Sequence, residues 1–246
     1  MGLVQKIKRV FKIWVKEVIT EIQEEKKHDI KYGLQELALR ETCEWIQDNV
    51  PVNLIFSDRY ALLDESIKNM EDQKGLILEF GVYRGSTINF IAKKINDDAK
   101  IFGFDSFEGL NEAWIFNNVG GFSDVGGALP SVPDNVELVK GYFDETLPNF
   151  VNEQKDNISL LHIDSDLYSS CKTIFDFLHD RIVVGTVIVF DEFFNYPDWK
   201  NGEFKAWGEF LKDNNIEFKY LGYTYQRTKR FKSGNQLAVQ VTKRLP

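Results

Sequence analysis

Leu76-Ile77-Leu78-Glu79-Phe80-Gly81-Val82-Tyr83-Arg84-Gly85-Ser86-Thr87 is the stretch around which the chain is organised. An apolar run leads into Glu79. A turn with Gly81 and Gly85 follows, and Ser86 and Thr87 open a segment with Ile88, Phe90 and Ile91 at helical spacing. The pattern is a strand, a glycine turn and a helix start. In an open α/β sheet this junction brings backbone N–H groups and a helix N-terminus to the carboxyl edge of the sheet, where ligands bind.

Downstream the pattern alternates. Leu76–Phe80, Ile101–Phe104, Val136–Val139, Ile158–Ile163 and Val183–Phe190 read as strands, and Ile88–Ile95, Cys171–Leu178 and Phe204–Leu211 as helices. Strands alternating with helices predict a mostly parallel sheet covered on both faces. Ile216–Tyr223 and Gln236–Val241 predict a terminal antiparallel hairpin, with Ser233-Gly234-Asn235 at its turn. The stretch from Asn111 to Pro133 holds Gly120, Gly121, Gly126, Gly127, Pro130 and Pro133 beside Trp114, Phe116 and Phe122. A loop this long in a compact domain is functional or mobile, and the reading here is a substrate lid.

Upstream, residues 32–70 predict two or three helices broken near Pro51, the last resuming at Arg59–Met70. Residues 1–74 therefore read as an N-terminal helical cap of the same domain, and residues 75–246 as the ligand-binding α/β unit. From Leu3 to Ile22, Leu3, Ile7, Val10, Phe11, Trp14, Val18 and Ile22 make one helical face, opposite Lys6, Lys8, Arg9, Lys12 and Lys16. Such a helix packs on the body or on a second subunit, giving a homodimer. Alternatively it lies on an anionic membrane as a peripheral contact.

The 246 residues, 43% hydrophobic and 14% aromatic, are enough for a real core. A net charge of -8 argues against nucleic acid as a partner. The two cysteines, Cys43 and Cys171, stand in no metal spacing, and no signal peptide is visible, so a cytoplasmic protein is expected, peripheral at the inner membrane surface if the first helix meets lipid.

The strands end in Glu79, Asp105, Gly141, Asp164 and Asp191. Side chains at the carboxyl ends of parallel strands converge on one crevice. Asp105, ending the second strand, fits an acceptor for ribose hydroxyls. The first turn is neither GxGxxG nor a phosphate loop, which favours a nucleoside without phosphates over a dinucleotide or nucleoside triphosphate. Asp164, Asp166, Asp191 and Glu192 form a second constellation. Oxygen-only ligands suit Mg²⁺ or Ca²⁺. Asp166 ranks below the others because it also reads as a cap for the next helix. His162 reads either as a core histidine or as a residue lining the site. Arg227, Lys229, Arg230 and Lys232 read as a solvated hairpin, or as an anion-steering surface.

Five segments in order carry a resemblance: Glu79–Ser86, Phe104–Leu110, Lys140–Pro148, His162–Tyr168 and Phe190–Glu192. They resemble the macrocin O-methyltransferase (TylF-like) family, class I S-adenosylmethionine-dependent enzymes that methylate sugar hydroxyls with Mg²⁺. The resemblance spans roughly residues 55–212 and implies a Rossmann-like class I methyltransferase fold. The expected architecture is a seven-stranded, mostly parallel sheet with a terminal antiparallel hairpin and an N-terminal helical cap. It implies that Glu79, Gly81, Tyr83, Gly85 and Ser86 hold the methionine part of S-adenosylmethionine. Asp105 and Ser106 would hold the ribose, and Gly141, Tyr142 and Phe143 would lie along the adenine. Asp164, Asp191 and Glu192 would be the metal ligands. Asp164 is also the candidate general base, and His162, read as lining the site, is a second candidate catalytic residue. The acceptor would be a small-molecule or glycan hydroxyl. Two other readings compete. One is a non-catalytic nucleoside-binding scaffold that docks on a membrane or partner through its N-terminal helix. The other is a nicotinamide-dependent sugar-modifying enzyme, which the missing GxGxxG disfavours.

Overall fold

The computed structural model describes the chain except residues 1, 72–73, 97–98, 116–118, 226–234 and 245–246. Among the described residues the strands are β1 (Ile55–Phe56), β2 (Leu76–Phe80), β3 (Ile101–Asp105), β4 (Val136–Lys140), β5 (Ile158–Ile163), β6 (Val187–Phe194), β7 (Ile216–Thr224) and β8 (Asn235–Arg244). The helices are α1 (Leu3–His28), α2 (Ile30–Asn49), α3 (Arg59–Lys68), α4 (Ser86–Lys94), α5 (Phe143–Glu153), α6 (Tyr168–Leu178) and α7 (Glu203–Asn214).

The sheet order is β1-β7-β8-β6-β5-β2-β3-β4. Strands β2 to β6 pair in parallel, and β8 inserts antiparallel between β6 and β7. The expected mixed sheet and terminal hairpin are present. The sheet has eight strands rather than seven, because Ile55–Phe56 adds a short parallel edge to β7. The residues expected at the hairpin tip, Arg227, Lys229, Arg230, Lys232, Ser233 and Gly234, lie outside the described residues, as does Phe116.

Alternation along the strands builds two cores. Leu76, Leu78 and Phe80 of β2, with Leu161 and Ile163 of β5 and Ile188 and Phe190 of β6, face Leu147, Phe150, Ile174, Phe175, Trp207 and Phe210 of α5, α6 and α7. Ile77, Leu160, Val187 and Val189 face Leu62, Leu63 and Ile67 of α3 and Ile88 and Ile91 of α4. Each fully buried Leu, Ile or Phe contributes roughly 1.5–3 kcal/mol, so these layers supply the main drive to fold. The helix α5 is absent from the sequence reading. Pro148 lies inside it, a residue usually taken to end a helix, yet Leu147 and Phe150 still bury against the sheet.

Two boundaries moved. The last parallel strand was expected at Val183–Phe190, but residues 183–186 form a turn through Gly185 at φ 93°, and the strand runs on to Phe194. Phe193 and Phe194 hold that extension by packing against Trp45 of α2, at 5.8 and 5.9 Å between ring centroids. Asp191 and Glu192 are therefore strand residues, not residues past a strand end.

Helix α2 is tied to the body. Gln35 Nε2 donates to the Asn195 carbonyl at 2.8 Å, and Asn195 N–H donates to Thr42 Oγ1 at 3.0 Å. The chain breaks at Asp29, whose carboxylate caps α2 by accepting the N–H groups of Lys31 and Tyr32. Beyond this break the apolar face of α1 is exposed along Ile7, Val10, Phe11 and Trp14.

Candidate active site

The first turn is shaped by close approach. Gly81 has φ 93°, and a Cβ there would sit 1.7 Å from the Asp164 carbonyl oxygen. Only glycine lets β2 leave the sheet that close to the end of β5. Gly85, also at positive φ, opens α4. The N–H groups of Val82 and Tyr83 donate to Asp105 Oδ2 at 2.8 and 2.7 Å, and the Phe107 N–H donates to Asp105 Oδ1 at 2.7 Å. An ionised carboxylate offers about four lone-pair positions, and these bonds fill three of them.

The cleft has a volume of about 440 Å³. Gly81, Tyr83, Ser86, Asp105, Ser106, Gly141, Tyr142 and Phe143 line it, and so do Asp164, Asp166 and Glu192. Part of the first turn, with Asp105, and three of the four acids of the second constellation thus open on one space. The loop of residues 109–127 covers part of it through Gly109, Leu110, Trp114, Phe122 and Val125. Asp124 pins that loop to the turn: Tyr83 Oη donates to it at 2.8 Å and Arg84 Nη2 at 2.6 Å.

The carboxylates split into two groups. Ligand atoms of Asp164, Asp166 and Glu192 lie within 4.8 Å of one another, and so do those of His162, Asp164 and Asp191. Among the described residues, Asp164, Asp191 and Glu192 do not form one such group. Strand geometry explains the split. Side chains alternate along β6 as far as Phe190, with Val187 and Val189 on the α3 side and Ile188 and Phe190 on the other. Asp191 turns to the α3 face, where Arg59 Nη2 donates to its Oδ2 and Gln236 Nε2 donates to its Oδ1 at 3.0 Å. Glu192 lies toward α7, and its N–H donates to Glu203 Oε2 at 3.2 Å.

Burial, then the Asp191 charge, push the Asp164 and Glu192 carboxyls well above the usual carboxylate range. The same two causes, joined by Asp105, raise Asp166 to about 7. Arg59 opposes the rise at Asp164 and Asp166. Arg59 is itself desolvated, but Asp191, Asp164 and Glu192 outweigh that and raise its pKa. Glu192 Oε2 is buried with no partner among the described residues. A set of three oxygens, one of them orphaned, fits a hard divalent cation.

Residues 78–193 match the family model described as a methyltransferase domain. Among solved structures, CalS11, a calicheamicin methyltransferase, is similar with a TM-score of 0.54 at 22% identity, over 80% of this chain and 85% of that one. The apo structure of CalS11, described as a TDP-rhamnose 3'-O-methyltransferase, gives 0.49 at 24% identity over 80% and 86%. The O-methyltransferase NovP gives 0.49 at 18% identity over 74% and 76%. No curated protein matches the chain. The fold is that of a class I methyltransferase, and residues 78–193 are similar to the methyltransferase-domain model.

Four of the residues singled out from sequence do not line the cleft: Glu79, Gly85, His162 and Asp191. Glu79 is buried, accepting from Thr87 Oγ1 at 3.0 Å and facing His162 Nδ1 at 2.9 Å. His162 is fully buried, and its Nε2 has no partner among the described residues. Both therefore support the site from behind. Asp166, ranked low as a helix cap, instead adopts φ 60° and is buried at the cleft.

Two further residues escaped the sequence reading. Arg59 comes from α3, far from the motifs, and its Nη1 lies 3.9 Å from Asp164 Oδ2. Glu203 is fully buried at the first turn of α7, where its carboxylate binds the Glu192 N–H. A charged residue in an otherwise core-facing position was the only signal either one offered.

Proposed function

We propose that the chain is an S-adenosylmethionine-dependent O-methyltransferase, Mg²⁺-assisted, acting on a hydroxyl of a sugar or glycosylated small molecule, as in the TylF-like family its motifs resemble. The observation that carries this reading is the shared cleft. A glycine turn with a ribose-type acid and a trio of carboxylates, Asp164, Asp166 and Glu192, open on the same 440 Å³.

In this reading Gly81, Tyr83 and Ser86 cradle the methionine part, and Glu79 and Gly85 shape the turn that does so. Asp105 offers its remaining lone pair to the ribose, with Ser106 beside it. Gly141, Tyr142 and Phe143 flank the adenine. Asp164, Asp166 and Glu192 would hold Mg²⁺, with Asp191 behind them bound to Arg59. A divalent cation there supplies Lewis acidity that eases ionisation of a bound hydroxyl. Asp164, on the cleft beside the other two acids, is placed to accept the hydroxyl proton. Methyl transfer to oxygen needs alignment more than covalent help, so positioning and exclusion of water supply most of the acceleration. The loop carrying Trp114 and Phe122 closes the cleft to water.

The test is a screen of candidate sugars and glycosides with labelled S-adenosylmethionine, with and without Mg²⁺, beside calorimetric titration with S-adenosylmethionine and with NAD. Transfer to a hydroxylated acceptor supports the reading. Binding of S-adenosylmethionine without transfer to any hydroxyl leaves a nucleoside-binding scaffold instead.

A further inference from the structure

Helix α1 carries a surface that methyl transfer does not use. Ile7, Val10, Phe11 and Trp14 are 60%, 66%, 62% and 57% exposed. They sit at spacings of three and four, so they form one continuous apolar stripe. The Phe11 and Trp14 rings are neighbours, 6.0 Å between centroids. Between Lys6 and Lys16 the helix carries five basic residues and no acid, in a chain whose net charge is -8. Positive charge is thus gathered on the same stretch of helix that shows this apolar stripe to solvent. Helix α2, by contrast, is pinned to the body through Gln35, Thr42 and Trp45, and the break at Asp29 separates α1 from it.

We propose that α1 is an interfacial helix that docks the methyltransferase on an anionic lipid surface. The apolar stripe enters the boundary between headgroups and acyl chains, with Trp14 and Phe11 as anchors. The lysines and Arg9 stay at headgroup level, where each cation near an anionic surface adds affinity. Pairing of α1 with the α1 of a second copy is the competing occupant. A parallel pairing would bring the two Lys6–Lys16 segments side by side, and like charges at a helix contact oppose association. A negatively charged surface has the matching sign. No described helix is long and apolar enough to cross a membrane, so the contact is peripheral.

The experiment is co-sedimentation of the full chain with phosphatidylcholine vesicles, with and without phosphatidylglycerol. Binding at least about tenfold tighter to the anionic vesicles, weakened by salt, is expected. A blue shift of tryptophan emission on binding, lost in Trp14→Phe, places the stripe in lipid. Phe11→Glu with Trp14→Glu abolishes sedimentation, and Lys8→Glu with Lys12→Glu weakens it about tenfold or more, while circular dichroism stays that of the parent. No binding to either vesicle overturns the proposal. So does equal binding to both, binding unaffected by the Phe11 and Trp14 substitutions, or a dimer through α1 that persists with anionic vesicles present.

Discussion

Glu79 and His162 are register partners on adjacent parallel strands, and their side chains meet at 2.9 Å with both residues buried. The pair joins the first turn to the strand that delivers Asp164. Removing one partner of a buried pair leaves the other desolvated and unsatisfied. Glu79→Ala should therefore lower stability by about 2–4 kcal/mol, whereas Glu79→Gln, which still accepts from Thr87, should lose less. Urea denaturation reads both. An unchanged midpoint for Glu79→Ala contradicts the pairing.

Arg59 is the cation nearest to Asp191, whose side chain is 1% exposed. Truncation to Ala strands that carboxylate. A loss of about 3–5 kcal/mol is expected for Arg59→Ala, and Asp191→Asn combined with it should recover part of the loss. The double-mutant cycle by chemical denaturation is the measurement. Additive losses would show that the two residues do not interact.

Asp166 gives a pH dependence with a defined sign. Its carboxyl is raised from 3.8 to about 7 in the folded chain. Between those values the folded state holds a proton that the unfolded state releases, so this residue's contribution to stability falls as pH rises from 4 through 7. The full span corresponds to roughly 4 kcal/mol. Asn tolerates the positive φ of this position. Asp166→Asn should match the parent near pH 4 and be more stable at pH 8 in metal-free buffer, as read by thermal melts across that range.

Mg²⁺ binding to the carboxylate trio should raise the melting temperature by mass action. The shift should disappear in Glu192→Gln and in Asp164→Asn, and methyl transfer by the parent should fall at least about tenfold with a chelator. A chelator-insensitive parent whose melting temperature ignores Mg²⁺ would place these acids outside metal chemistry.

Asp124 tests the lid. Its contacts to Tyr83 and Arg84 are exposed, so Asp124→Ala should change stability by less than about 1 kcal/mol. It should weaken S-adenosylmethionine binding several-fold by loosening the loop over the turn. Unchanged affinity in calorimetry would show that the loop does not close the cofactor site.

What the sequence determined by itself was the local pattern. The alternation of apolar runs fixed β2 to β5, and the glycines at 81 and 85 marked the turn. The acids at 105 and 164 marked two strand ends. These are properties of a few consecutive residues, where the periods of strand and helix act directly. What only the tertiary structure decided was which carboxylates meet. Asp191 and Glu192 are neighbours in the chain, yet β6 continues through them and turns one toward α3 and the other toward α7. Arg59 reaches the site because α3 packs on the face that Asp191 shares with Ile77 and Val189. Glu79 and His162 leave the cleft because strand register pairs them beneath it. Each outcome depends on which face a side chain takes and on what packs against that face. Those facts arise from pairing residues that lie far apart in the chain.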